Sequence, residues 1–149
     1  MTNLASFIAE SNRIEGITRP PTVAEISEMD RFLSLPTVSI DDLVALAGIF
    51  QPDAALRDRI GLNVRIGDYY PPKGGPYIRA ILSNILADAN QETSSAYQAH
   101  HDYERLHPFT DGNGRSGRAL WLWMMQKTGG APLGFLHHWY YQSLAEERK

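Results

Sequence analysis

The residues from His107 to Arg118, His107-Pro108-Phe109-Thr110-Asp111-Gly112-Asn113-Gly114-Arg115-Ser116-Gly117-Arg118, concentrate the groups able to do chemistry. Gly112 and Gly114 flank Asn113 where a loop is expected to pass into a helix, so backbone N–H groups and the positive helix end should point into one concavity. That is an anion cradle. Arg115 and Arg118 stand three apart on one side of the first helical turns, where two guanidinium forks can hold a polyphosphate. Asp111, beside the cradle, is an acceptor suited to Mg²⁺, which keeps most of its waters and bridges phosphate oxygens. Phosphate with magnesium implies a nucleotide. His107 adds an imidazole that can take a proton from an attacking hydroxyl while the cradle holds the electrophile. A plain loop and helix cap would explain the glycines but not His107, Arg115 and Arg118 together.

Several elements must position this segment. Leu4, Phe7, Ile8 and Ile14 share one face of a helix over 4–15 that Gly16 stops. Thr22 and Glu25 have capping-box spacing for a second helix through about Leu33, and Ser39 with Asp42 repeats the signal before a third ending near Phe50. Between Gly61 and Gly75, Leu62-Asn63-Val64-Arg65-Ile66 alternates apolar with polar before Gly67-Asp68, which predicts a strand or small hairpin. Pro76 then opens a helix with Ile78, Ile81, Leu82, Ile85 and Leu86 on one stripe. A helix over 93–106 carries Tyr97, His100, His101, Tyr103, Glu104 and Arg105 where an aliphatic stripe would be expected, so packing alone does not shape it. His100 is expected to hydrogen-bond inside the core beneath the loop. Ala119 to Met125 is apolar on every side and predicts a central helix, stopped at Gly129-Gly130; a last helix is expected from Pro132. The class is all-α, a bundle of six to eight helices with a short hairpin.

The chain has 149 residues, read as one domain over 1–149. With 14 basic and 17 acidic residues its charge is -3, which is not the footprint of a duplex nucleic-acid binder. Hydrophobic residues at 43% and charged residues at 21% suit a packed globule. The absence of cysteine removes disulfides, thiol catalysis and Cys-zinc sites, and the five histidines lack the partners a zinc site needs. No leader and no membrane-length apolar run is read, so a cytoplasmic protein is the expectation. No residue pattern specifies an oligomeric state.

The 107–118 segment resembles the Fic family, whose motif H-x-F-x-[D/E]-G-N-[G/K]-R-x-x-R is met at every fixed position. The likeness extends over most of residues 60–128: Val64-Arg65-Ile66-Gly67 with Tyr69-Tyr70-Pro71-Pro72 is similar to the family's flap at 60–72, and Ala99 to Leu106 to the helix before the motif. The resemblance implies transfer of AMP from ATP onto a Ser, Thr or Tyr hydroxyl of a target protein. His107 would be the base and Asp111 the Mg²⁺ ligand. Asn113 with the Gly112 and Gly114 amides would hold the α- and β-phosphates, Arg115 the β- and γ-phosphates and Arg118 the γ-phosphate. Gly114 favours AMP transfer, because the phosphorylating branch carries lysine there. Val64, Arg65 and Ile66 would add a strand of the target along the flap edge.

Ser11-Asn12-Arg13-Ile14-Glu15-Gly16 resembles the family's inhibitory motif [S/T]-x-x-x-E-[G/N], placing an inhibitory helix at 1–17. Glu15, at the negative end of its helix, calls for a compensating cation, and the resemblance makes that cation Arg118 in a bidentate pair. Other readings stay open: removal of AMP by the same site, transfer of UMP, GMP or phosphocholine, or a non-catalytic nucleotide-binding regulator, for which an intact His107 has no purpose.

Overall fold

The computed structural model describes residues 2–127, which form six α-helices and no strand. In chain order these are α1 (Thr2–Ile14), α2 (Val23–Leu33), α3 (Ile40–Phe50), α4 (Pro76–Gln91), α5 (Ala96–Leu106) and α6 (Asn113–Lys127). The architecture is all-α, as expected. The expected Gly129-Gly130 stop and the helix from Pro132 lie outside the described residues.

Local side-chain chemistry sets the helix ends. Glu25 N–H donates to Thr22 Oγ1 at 3.0 Å and Thr22 N–H to Glu25 Oε1 at 2.8 Å, a closed capping box on α2. Ser39 and Asp42 close another on α3. Pro76 sits in the first turn of α4, where its missing N–H is no loss. The start of α5 differs from expectation, falling at Ala96 and not Thr93, because Ser95 takes the cap and accepts from Gln98 N–H at 3.0 Å. Thr93 turns back onto α4, its N–H donating to Asp88 O at 3.0 Å.

Burial follows from pattern. The 119–125 stretch of α6 is apolar on every side, and α6 packs against α1, α2, α3 and α5, with Ala119, Leu120, Leu122 and Trp123 at most 1% exposed. Phe7 and Ile8 of α1, Met29 and Phe32 of α2, and Leu43 and Leu46 of α3 complete that core. Trp123 Nε1 donates to Leu35 O at 2.8 Å, which satisfies its one polar atom.

The polar helix α5 has a physical reason for its composition. It crosses α6 at Gly117, where a Cβ would lie 2.7 Å from Glu104 Oε1 and 3.0 Å from Tyr103 Cδ1. The close approach lets His100 Nδ1 donate to Gly117 O at 2.9 Å and Tyr103 OH meet Ser116 Oγ at 2.7 Å. The expected core role of His100 is what the structure shows.

Residues 61–75 alternate as read: Leu62, Val64 and Ile66 are half-buried, Asn63 and Arg65 exposed. They form no ladder. A single antiparallel pair, Ile66 and Tyr69, exchanges bonds of 2.9 and 2.8 Å around Gly67, whose φ of +58° suits the tight turn. An edge with no partner strand has nothing to extend that pairing.

Candidate active site

The 107–112 loop leaves α5 at His107 and enters α6 at Asn113. His107 is the C-cap of α5 at φ +52° and ψ +65°, its N–H donating to Tyr103 O at 2.9 Å. Burial, with the Arg57 charge after it, lowers its pKa to about 4 against the opposing Glu104 carbonyl and the Asp111 and Glu15 carboxylates. The imidazole is therefore neutral near pH 7, the form a general base needs.

The residues after His107 run antiparallel to 55–57. Arg57 N–H donates to Pro108 O at 2.8 Å, Thr110 N–H to Ala55 O at 2.9 Å, and Ala55 N–H to Thr110 Oγ1 at 3.0 Å. Asn113 closes the loop from the other end: its Oδ1 accepts from Phe109 N–H at 2.8 Å and its Nδ2 donates to Phe109 O at 2.7 Å. Both side-chain ends of Asn113 are thus engaged in holding the turn. The backbone N–H groups of the first turn of α6, without intrahelical acceptors, are the donors left for an anion.

A cavity of about 340 Å³ opens on this turn, lined by His107, Asp111, Gly112, Asn113, Gly114, Glu15, Val64 and Arg65. Asp111 is exposed, and its Oδ1 accepts from Gly112 N–H at 2.8 Å. Among the described residues no group of three His, Cys, Asp or Glu side chains could hold a metal alone. A single carboxylate fits Mg²⁺ in the mode where phosphates and water supply the other ligands. Ile66 is not among the cavity residues; its backbone is engaged with Tyr69.

Two buried arginines lie at the start of α6. Arg115 Nη2 donates to Gln51 Oε1 at 3.0 Å, and the guanidinium carbon sits 5.8 Å from the Phe50 ring centre. Its Nε and Nη1 are buried without any hydrogen-bond partner. Burial pulls its pKa below the ordinary arginine value, against the opposing field of Glu15, Glu25 and Asp111. Arg118 is 1% exposed and is held by α1: Nη2 meets Glu15 Oε2 at 2.7 Å and donates to Ser11 O at 2.9 Å, while Nε donates to Ser11 Oγ at 2.7 Å. Glu15 thus meets the arginine expected to partner it, and Ser11, for which the sequence signals no partner, meets the same arginine.

Glu15 is placed by a helix terminator. Gly16 lies at φ +80°, its N–H donates to Arg13 O at 3.0 Å and Ile17 N–H to Asn12 O at 3.0 Å, the two bonds of a Schellman cap. A Cβ at Gly16 would touch nothing within 4 Å, so the position demands only the left-handed backbone. Gly16→Ala is expected to cost about 1 kcal/mol of stability, read as a lower urea midpoint, and to loosen Glu15 from Arg118.

Some participants have a use that the sequence does not signal. Gly114, read as a cradle residue, is one: a Cβ there would fall well inside contact distance of Glu15 Oε2 and 3.0 Å from Arg118 Nη1, so a side chain at 114 would push the Glu15 carboxylate from its place on Arg118. Glu25 is another. Beyond its capping role it accepts from both Arg19 Nη1 (2.9 Å) and Nη2 (3.1 Å) and lies 3.5 Å from Asn12 Nδ2, tying the end of α1 to α2. Burial raises its pKa, but the hydrogen bonds from Arg19 and Thr22 more than offset that and leave it below the usual range. The Thr22–Glu25 spacing signalled the cap and could not signal the second use. Gln51 and Arg57 carried no signal.

A family model described as Fic/DOC family matches residues 38–125. Among solved structures the chain is similar to Fic-1 from C. elegans, with a TM-score of 0.55 and 22% sequence identity. The likeness covers 98% of this chain and 54% of that one, so the chain spans about half the length of that structure. At such identity the likeness speaks to the fold.

Proposed function

The chain belongs to the Fic/DOC family, and from that premise we propose that it is a protein adenylyltransferase that moves AMP from ATP to a Ser, Thr or Tyr hydroxyl and is held in check by Glu15. The observation that carries the reading is Arg115, a buried cation with two unpaired donors beside a turn of free helix N–H groups. Burying such a group without partners is costly, and an anionic ligand is what would satisfy it.

In this reading the neutral imidazole of His107 takes the proton of the target hydroxyl as its oxygen bonds to the α-phosphorus. The bond from that phosphorus to the bridging oxygen breaks, pyrophosphate leaves, and the proton passes from His107 to solvent. The first-turn N–H groups of α6 and Arg115 hold the phosphates, and Asp111 holds Mg²⁺, which when bound neutralises phosphate charge. Val64 and Arg65, on the wall of the same cavity, are placed to guide the target. Glu15 occupies the guanidinium of Arg118, and Ser11 takes its remaining face, so the γ-phosphate meets a carboxylate and not a cation.

Replacing Glu15 with glycine removes a charge-assisted contact of about 1.5–3 kcal/mol, so AMP transfer is expected to rise by roughly 10- to 100-fold. Intact-mass spectrometry after incubation with ATP and Mg²⁺ reads this as a gain of one AMP on the chain itself in Glu15→Gly and little in the parent. No gain in either chain, with ATP binding demonstrated by thermal shift, would sink self-modification and turn the reading toward a nucleotide-binding regulator. Glu15 also lines the cavity with 38% of its side chain exposed, an arrangement suited to positioning a water for AMP removal. The same variant separates the two directions, since it should gain transfer and lose removal.

A further inference from the structure

Arg57 is 0% exposed, yet no described carboxylate pairs with it. Its guanidinium is directed at four main-chain carbonyls. Nε donates to His107 O at 2.6 Å and Nη2 to Leu106 O at 2.8 Å; Nη1 donates to Leu62 O at 3.1 Å and Pro72 O at 2.8 Å. Burial pulls its pKa down, and only the Tyr77 and Tyr69 hydroxyls counter it.

The four acceptors fall into two pairs. Leu106 and His107 end α5, where the last carbonyls have no intrahelical donor and carry the negative end of the helix, so a guanidinium is well suited to them. Leu62 and Pro72 are the two legs of the 60–72 flap, entering and leaving its turn. A helix cap alone needs only the first pair. The planar fork reaches both at once, a geometry that the single ammonium of lysine does not reproduce. The backbone of Arg57 joins the same assembly, donating to Pro108 O at 2.8 Å and accepting from Gly75 N–H at 3.0 Å.

The first pair also bears on the base. His107 holds a left-handed backbone, φ +52°, that a non-glycine residue keeps only where its surroundings over-determine it. The short bond from Arg57 to His107 O is part of that determination. We propose that Arg57 is a positioning residue for the transfer reaction: one guanidinium ties the flap to the loop carrying His107, so that a docked hydroxyl and the base keep a single register. This rests on the reading of His107 as base and 60–72 as flap. Tyr69 OH donates to Arg105 O at 2.7 Å and adds a second, exposed link between the flap and α5.

The test uses the full chain carrying Glu15→Gly, with Arg57→Met or Arg57→Lys added. Amide hydrogen exchange and AMP transfer are measured on each. In Arg57→Met, amides of 62–72 and of 106–110 are expected to exchange about tenfold faster together, with α1–α4 unchanged. Transfer at saturating ATP should fall by about 10- to 100-fold while the half-saturating ATP concentration moves by less than about twofold, because a misplaced base and hydroxyl cost turnover and not nucleotide binding. Arg57→Lys should recover part of both losses.

Acceleration confined to one of the two segments would overturn the proposal. So would unchanged turnover in Arg57→Met, or a half-saturating ATP concentration that rises as turnover falls. If Arg57→Met does not fold, Arg57→Lys answers through the same readouts, partial loosening of both segments upholding the tie and loosening of one refuting it. If the Glu15→Gly parent transfers no AMP at all, the adenylyltransferase reading fails, and joint or separate acceleration of the two segments still decides whether Arg57 ties them.

Discussion

Replacing His107 with alanine in a Glu15→Gly chain is expected to lower AMP transfer by about 10²–10⁴ while ATP affinity stays within about twofold, because a positioned base contributes that much and holds no phosphate. Single-turnover transfer followed by mass, beside ATP titration by calorimetry, reads both quantities. Equal activity in the two chains would remove His107 from the mechanism. The pH dependence has a definite sign. Burial, then the Arg57 charge, hold the imidazole pKa down to about 4 in the fold, below its ordinary 6.5. The acid limb of kcat/KM should accordingly lie near pH 4 and not near 6.5. His100, wholly buried, is likewise held at about 4, burial first and the Arg118 charge after it. Between these values the unfolded chain binds more protons than the folded one. Stability is therefore full above about pH 6.5 and falls as the pH drops toward 4, which urea midpoints across that range would record.

Arg115→Met is expected to move activity and stability in opposite directions. The buried guanidinium leaves Nε and Nη1 unpaired, and methionine keeps the length of the stem without the donors. Removing two unsatisfied donors should stabilise the ligand-free fold by about 1–3 kcal/mol, seen as a higher melting temperature. The Gln51 amide, at the edge of the site and half-buried, turns to water. In a Glu15→Gly background the same change should cut transfer by about 10²–10³ and weaken ATP binding, since it deletes a preorganised donor to the phosphates. A variant that is both less stable and still active would show that Arg115 serves packing and not the anion. This sign reversal is how a site that stores cost for its ligand differs from one that is merely structural.

Much of the molecule is legible in its sequence. The capping boxes at Thr22 and Ser39 and Pro76 at the head of α4 are local codes, written within a few residues, and the helices begin where they say. The start of α5 was misplaced because Thr93 and Ser95 are both competent caps, and the choice between them fell to Asp88 at the end of α4. The hairpin at 61–75 read as a possible strand because alternation reports which side chains face inward; it does not report whether a neighbouring strand exists to pair with.

The site divides along the same line. His107, Asp111, Gly112, Asn113 and Gly114 lie within eight residues, so their spacing by itself brings an imidazole, a carboxylate and a glycine-flanked turn to one helix start, and the all-α class followed from periodicity alone. The tertiary structure decided what surrounds them. Glu15 and Ser11 reach Arg118 across more than a hundred residues of chain. Gly114 leaves room for Glu15 to lie on Arg118, Asn113 closes a loop, and Gln51 and Arg57 support Arg115 and His107 from a segment with no motif of its own. Periodicity and caps act over a few residues and are written in order along the chain, whereas a buried guanidinium finds its partners by packing, which no spacing records.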